Sequence, residues 1–295
     1  MRLATSPNSW GVWYADDPGN LPWDAFLDGV AAIGFEHIEA GPYGYLPTDP
    51  TQLKEQLNNR NISLVTGQVH GNLHEAGDWP TLEKQTREVG ALVAAMGGEN
   101  LLLIGGSSVN HVTFKRIAPA QLTEKQWRIM VDAIERIGRI SLDDYGLRTV
   151  FHPTIHGFCD PRADQTERML AETNPNYVWL CLDTGQFFYR NGDPLPWLRA
   201  HANRIHHIHC KDIVPDIHAK LAKQHIPFSQ WFCPLGEGQV DFQTLLNALN
   251  ELNYEGFLVI DEDQYGAPPE RLRQVSRSSF ERLSGMSRAG VHDDR

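Results

Sequence analysis

Two hydrophobic rhythms alternate along this chain. Short apolar runs rich in β-branched and aromatic residues are followed by longer stretches in which apolar positions return every three or four residues. The short runs are Leu3–Thr5 joined with Gly11–Trp13, then His37–Ala40, Ser63–Gln68, Asn100–Ile104, Arg148–His152, Val178–Leu182, Arg204–His209 and Phe257–Asp261, which makes eight candidate strands. The helical period is clearest after Thr123. There Thr123 and Gln126 form a T-x-x-Q capping box, apolar residues recur at Trp127, Met130, Val131, Ile134, Ile137 and Leu142, and Gly146 sits where a helix terminates. Further helices are expected over 22–34, 80–97 and 241–253, with a last one after Pro269.

Eight strands in alternation with about eight helices predict an α/β (β/α)8 TIM barrel. An open doubly wound sheet is the alternative, but no G-x-G-x-x-G follows the first strand, so nothing signals a dinucleotide. The barrel is assigned to residues 1–285, and 286–295 are expected to form a flexible tail. The longest irregular segment, Lys211–Val240, follows the seventh strand, and long loops in compact domains are more often functional than idle.

Charge narrows the partners. The formal net charge is −11 and no basic block appears, which argues against nucleic acid and against an anionic membrane surface. The N-terminal MRLATSPNSWGVW lacks the charged and apolar regions of a secretory signal, and no run approaches the roughly 20 apolar residues of a spanning helix. Cys159, Cys181, Cys210 and Cys233 are scattered with no C-x-x-C, as expected of free thiols in a reducing cytoplasm.

Chemistry in a barrel gathers where strands end at the C-terminal rim. Reading those ends gives Glu39, His70, His152, Asp183, His207 with His209, and the run Asp261–Glu262–Asp263. A polar cluster there is expensive to bury unless it is paired or holds a cation. Strand alternation sharpens the choice. Ile205, His207 and His209 share one side, and so do Val259, Asp261 and Asp263. His209 is last on its strand and fits a rim ligand, while His207 lies one layer deeper. His152, Asp183, His209 and Asp261 then form a four-donor N/O set that suits Mn²⁺, Co²⁺, Fe²⁺ or Zn²⁺ better than Ca²⁺ or Mg²⁺. Each residue also has a plainer reading. A single rim His or Asp is usually a hydrogen-bonded structural group, 261–263 reads equally as a solvated charge run, His206 reads as a bystander, and the aromatics of SWGVWY are core or pocket wall.

In order along the chain, CLDTGQ, HHIHCKD, PLGEGQVDF and GFLVIDED resemble the xylose-isomerase-like sugar isomerase/epimerase superfamily, and within it the inosose dehydratase-like members; the N-terminal GVWYADDP and GFEHIEAGPYGY are similar to the same group. The resemblance covers roughly residues 8 to 265 and implies a TIM barrel with one divalent metal, Mn²⁺ or Co²⁺ first and Zn²⁺, Fe²⁺ or Mg²⁺ as alternatives. The superfamily's metal ligands carry over onto His152, Asp183, His209 and Asp261. Three departures accompany it: Gln186 and Thr154 stand where these relatives usually carry His, and Asp261 stands where they carry Glu.

Enzymes of this type act on α-hydroxyketones through an enediolate, so the expected activity is dehydration of an inosose, with ketose 3-epimerisation or aldose–ketose isomerisation as alternatives on the same site. Glu39 is the first candidate base, followed by Glu262 and His70, and Lys211 is expected to hold a substrate oxygen or act as an acid with a pKa lowered beside the ion. Trp10, Trp13 and Tyr43 are expected as apolar pocket walls, and His156, Gln186, His207 and Glu237 as further substrate contacts. A homodimer is implied by the resemblance alone. Two other classes stay open: a metal-dependent phosphodiesterase of the endonuclease IV type, which the negative charge opposes, and a non-catalytic sugar-binding barrel.

Overall fold

The computed structural model describes residues 2–110 and 113–289. Strands β1 (Arg2–Thr5), β2 (His37–Glu39), β3 (Ser63–Gly71), β4 (Asn100–Gly105), β5 (Arg148–His152), β6 (Val178–Asp183) and β7 (Ile205–Cys210) lie side by side in that order. A small hairpin, β8 (Asp212–Ile213) and β9 (Phe232–Cys233), comes next, and the eighth barrel strand, β10 (Phe257–Ile260), pairs with both β7 and β1 to close the barrel. All barrel pairs are parallel.

The helices are α1 (Trp23–Ile33), α2 (Pro50–Asn58), α3 (Trp79–Ala95), α4 (Glu124–Tyr145), α5 (Ala163–Glu172), α6 (Thr184–Asn191), α7 (Leu195–His201), α8 (Ile217–Leu221), α9 (Phe242–Glu251) and α10 (Pro269–Ala289). Apolar faces of these helices pack on the outward faces of the strands in one continuous core that includes Leu27, Val30, Leu64, Val93, Leu101, Ile134, Leu180 and Leu246. Helix α4 carries both halves of the capping box, and its C-terminus turns at Gly146 with φ 70. Inside the barrel, Ala4, Val65, Phe257 and Val259 form an apolar plug near the N-terminal ends of the strands. Polar side chains occupy the interior above it, so the fold itself divides the lumen into a sealed base and a reactive top.

Three sequence expectations change here. Gly11–Trp13 does not extend the first strand: Pro7, which cannot donate to a ladder, starts a 3₁₀ turn over Pro7–Trp10 that ends at Gly11 with φ 80. Lys211–Val240 is not irregular. Its β8–β9 pairing is antiparallel, and Ile213, Ile217, Ile226, Phe228, Trp231 and Phe232 bury one another with Ile155 in a cluster of their own. Helix α10 runs to Ala289, so the expected tail begins as helix, and residues 290–295 lie outside the described ones. Among the described residues no helix is long and apolar enough to cross a membrane, and all four cysteines are free thiols.

Thr123→Ala removes the hydroxyl that accepts from the Gln126 backbone N–H. It should lower unfolding stability by about 1 kcal/mol in a urea titration, and Thr123→Ser should restore most of the loss.

Candidate active site

The C-terminal ends of the strands open into a cavity of about 270 Å³, the size of a single ring rather than of a long ligand. Its floor is the cluster expected from strand ends. His152 ends β5, Asp183 ends β6, His209 stands one residue before the end of β7 and Asp261 follows β10 directly. His152 Nε2 lies 3.5 Å from Asp183 Oδ2, and His209 Nδ1 lies 3.0 Å from Asp261 Oδ2. Lys211 enters between the carboxylates. Its Nζ is 3.1 Å from Asp183 Oδ2, 3.1 Å from Asp261 Oδ2 and 2.5 Å from Asp263 Oδ2, with the Phe232 ring beneath it at 4.9 Å.

Local backbone geometry fixes these groups. Asp183 is also the N-cap of α6, where Oδ1 accepts from the Gln186 N–H at 2.9 Å. The Gln186 side chain donates to Asp183 Oδ2 at 2.8 Å and accepts from the Ile155 N–H at 2.9 Å. Gln186 is therefore tied to the cluster, although it also borders the cavity. Beyond the last strand, Asp263 adopts φ 43, a left-handed conformation that Asp tolerates better than most residues. Asp261 and Asp263 both face the cavity.

The charges are strongly coupled. Burial alone would raise Asp183 and Asp261, but the adjacent Lys211 ammonium outweighs it and holds both carboxyls below the usual carboxylate range. Burial also opposes the charge on Lys211, yet Asp183, Asp261 and Asp263 outweigh it and hold the ammonium well above its usual range. The lowering expected from the sequence was attributed to a bound ion; in the protein alone the three carboxylates act in the opposite direction. Burial pushes Asp263 up to about 6 and lowers His152. Burial opposes the charge on His209 as well, but Cys181, Glu39 and Asp261 beside it hold that imidazole above its usual range.

The remaining expected residues separate into two groups. His70, Trp13, Tyr43 and His156 line the cavity, with Phe228 from the hairpin insert opposite Trp13 at 6.3 Å. Trp10 does not: it is 1% exposed and packs edge-on against Phe26 at 5.5 Å, over Gly29. Glu237 is exposed on the outside of the insert, where it accepts from Arg282 at 3.5 Å. Glu262 has the opposite strand parity to Asp261, so it points out of the barrel and accepts from the Ser279 hydroxyl of α10. His207 is fully buried below the cavity and bonds to Glu39 at 2.7 Å. Glu39 borders the floor of the cavity, but its Oε1 is taken by that bond and by His209 Nε2 at 3.4 Å. Burial would raise Glu39, and the two histidines outweigh it and hold the carboxyl well below the usual range.

Sequence reading placed Asp263 at the rim without giving it a role, and it passed over Asp212. Asp212 is buried and accepts four backbone N–H groups, from Ile213, Gly236, Gly238 and Val240 at 2.8 to 3.0 Å. A Cβ on Gly238 would lie 2.3 Å from Asp212 Oδ1. The glycine pair in LGEGQ was the available signal for this clamp.

The donor set fits a divalent cation. Both ring nitrogens of His152 and Asp261 Oδ1 are buried without a hydrogen bond, and Asp183, His209 and Asp261 offer donor atoms within 4.8 Å of one another. Three carboxylates surround one ammonium, and Glu39 adds a fourth against the histidines. A buried cluster so short of positive charge is costly unless a cation joins it.

A closed barrel with titratable groups massed at its C-terminal rim is an enzyme architecture. The xylose isomerase-like TIM barrel family model matches residues 27–282, and the chain belongs to that family. It is similar to the inosose dehydratase of Clostridium beijerinckii, 26% identical over 270 residues, 85% of this chain and 87% of that one. It is likewise similar to the inosose dehydratase of Halalkalibacterium halodurans, 28% identical over 276 residues, 86% of this chain and 87% of that one. Among solved structures, the probable 3-DHS dehydratase AsbF of Bacillus anthracis shares the fold with a TM-score of 0.74 at 12% identity, covering 96% of this chain and 99% of that one. The IOLI protein with a binding zinc atom does so with a TM-score of 0.71 at 16% identity, covering 97% and 99%. The protein is an enzyme of the dehydratase or isomerase/epimerase kind, which sets aside the non-catalytic barrel.

Burial pushes the Glu262 carboxyl up to about 7 from an ordinary 4.5, and its Oε2 has no partner. A folded-state pKa above the unfolded one means that stability falls as pH rises from about 4.5 through about 7. Glu262→Gln should be more stable than wild type by up to about 3 kcal/mol at about pH 8, and equal to it at about pH 4, when denaturant midpoints are compared across pH.

Proposed function

We propose that this protein is a divalent-metal-dependent enzyme for the α-hydroxyketone group of a sugar or cyclitol, acting as a dehydratase of the inosose type. The observation that carries the reading is the convergence of His152, Asp183, His209 and Asp261 on one buried, negatively charged cavity floor. The inosose dehydratases at 26 to 28% identity support the substrate class, and the zinc-containing IOLI structure supports the metal. The N/O donor set suits Mn²⁺ or Co²⁺, with Zn²⁺ and Fe²⁺ as alternatives.

An ion held by these four groups supplies Lewis acidity to the ketone and the adjacent hydroxyl. The protein's own groups move the protons. Asp263 faces the cavity and accepts the α-proton, and the C–H electron pair shifts toward the ketone. As that pair returns to form the new C=C bond, the β-hydroxyl leaves with a proton from Lys211 as water. The proton on Asp263 then passes to Lys211 across their 2.5 Å contact, restoring both groups. Glu39 cedes the base role here because its carboxylate is committed to two histidines. Trp13, Tyr43 and Phe228 flank the C–H faces of the ring, and His70 and His156 meet its hydroxyls.

Elemental analysis of protein prepared without chelator should find about one divalent ion per chain in wild type and none in Asp183→Asn. Wild type that neither carries nor takes up Mn²⁺, Co²⁺ or Zn²⁺ refutes the reading. With an inosose as substrate, Lys211→Met and Asp263→Asn should keep the ion and lose roughly 100-fold or more in turnover. Full turnover in Asp263→Asn removes it from the proton path, and a product that retains the β-hydroxyl makes the enzyme an epimerase.

A further inference from the structure

Glu39 is a buried carboxylate at the floor of the cavity that the proton path does not use. It ends β2 at a register shift: Ile38 pairs with Leu64, but Glu39 pairs with Thr66. Such an irregularity re-aims a side chain, and here it sends the carboxylate across the lumen to the far strand. There Oε1 meets His207 Nε2 at 2.7 Å and His209 Nε2 at 3.4 Å. A carboxylate only accepts, so each of those nitrogens carries the hydrogen. On the other side of the first ring, the Asn100 side-chain amide donates to His207 Nδ1 at 3.3 Å, which makes Nδ1 an acceptor and leaves His207 as a single defined tautomer. On the other side of the second ring, His209 Nδ1 looks into the floor of the cavity, 3.0 Å from Asp261 Oδ2.

We infer that Glu39 is a positioning residue: by accepting the Nε2–H groups of His207 and His209 it fixes both rings, so that His209 presents Nδ1, and not Nε2, to the divalent ion. The assignment rests on the metal reading above. Ligand histidines are held in general by a carboxylate or carbonyl on their second nitrogen, and losing that partner weakens metal binding by roughly 10- to 100-fold. Here one carboxylate reaching across the lumen serves two histidines whose rings meet edge-on. Only one of them reaches the ion site; the other braces the carboxylate from below through Asn100.

The test uses full-length protein stripped of metal and titrated with Zn²⁺ alone against a chromophoric chelator, with Co²⁺ absorption as a second probe. Glu39→Gln offers one acceptor and one N–H where the carboxylate offered acceptors only. It should bind Zn²⁺ roughly 10- to 100-fold more weakly and change the Co²⁺ spectrum. Glu39→Asp should recover part of both. Zn²⁺ affinity within about threefold of wild type and an unchanged Co²⁺ spectrum in Glu39→Gln overturn the inference while leaving the metal site standing. Should Glu39→Gln fail to fold, the imidazole ¹⁵N signals of zinc-loaded wild type decide: His209 protonated at Nε2 and metallated at Nδ1 supports the assignment, and the reverse overturns it. Wild type that takes up no ion overturns both this inference and the reading beneath it.

Discussion

An ammonium buried at the C-terminal end of a barrel is tolerable only with anions close around it, and Lys211 has three within 3.1 Å. Much of the upper lumen follows from that requirement. Asp183 and Asp261 must come from different strands to reach the same nitrogen, and Asp263 must adopt a left-handed backbone to join them. The three anions in turn exceed what one lysine neutralises, so the site keeps an appetite for a cation, and the unbonded His152 and Asp261 atoms face the same space. Lys211 thus both assembles the donor set and limits it: the same ammonium that draws the carboxylates together also occupies lone pairs that an ion would use.

Support for this cluster comes from below and from the side. The apolar cluster of Ala4, Val65, Phe257 and Val259 packs beside the polar one, with Phe257 paired in register with His207 and Val259 with His209. Glu39, His207 and Asn100 form the next layer, with every contact within the barrel. Gln186 spends both ends of its amide on Asp183 and the Ile155 backbone, which leaves the neighbouring carboxylate firmly oriented.

Most of the architecture was legible because β/α alternation and the capping box at Thr123 are local signals. So was the cluster of His152, Asp183, His209 and Asp261, because strand parity and position at a strand end are one-dimensional properties that a barrel converts directly into place. Order along the strand also separated His207 from His209 by depth, since the two share parity. The failures share a cause. Trp10 and Glu237 were assigned by residue type, and type does not say which side of a 3₁₀ turn or a hairpin insert a side chain occupies. Glu262 was named as a candidate base against its own strand parity, which sets it with Ile260 on the face opposite Asp261 and Asp263. The direction of the Lys211 shift needed the distances to three carboxylates that are 28, 50 and 52 residues away in the chain.

The clamp at Asp212 separates two jobs that lie next to each other in the chain. Lys211 belongs to the cavity floor, yet the very next residue pins the far end of the insert through Gly236, Gly238 and Val240. Everything between, from Val214 to Trp231, is a closed loop whose entrance and exit are both fastened and whose own apolar cluster holds it together. That loop is joined to the cavity at two points, Phe228 in its wall and Ile155, whose N–H holds the Gln186 side chain against Asp183, so a change in its packing reaches the floor through a single amide.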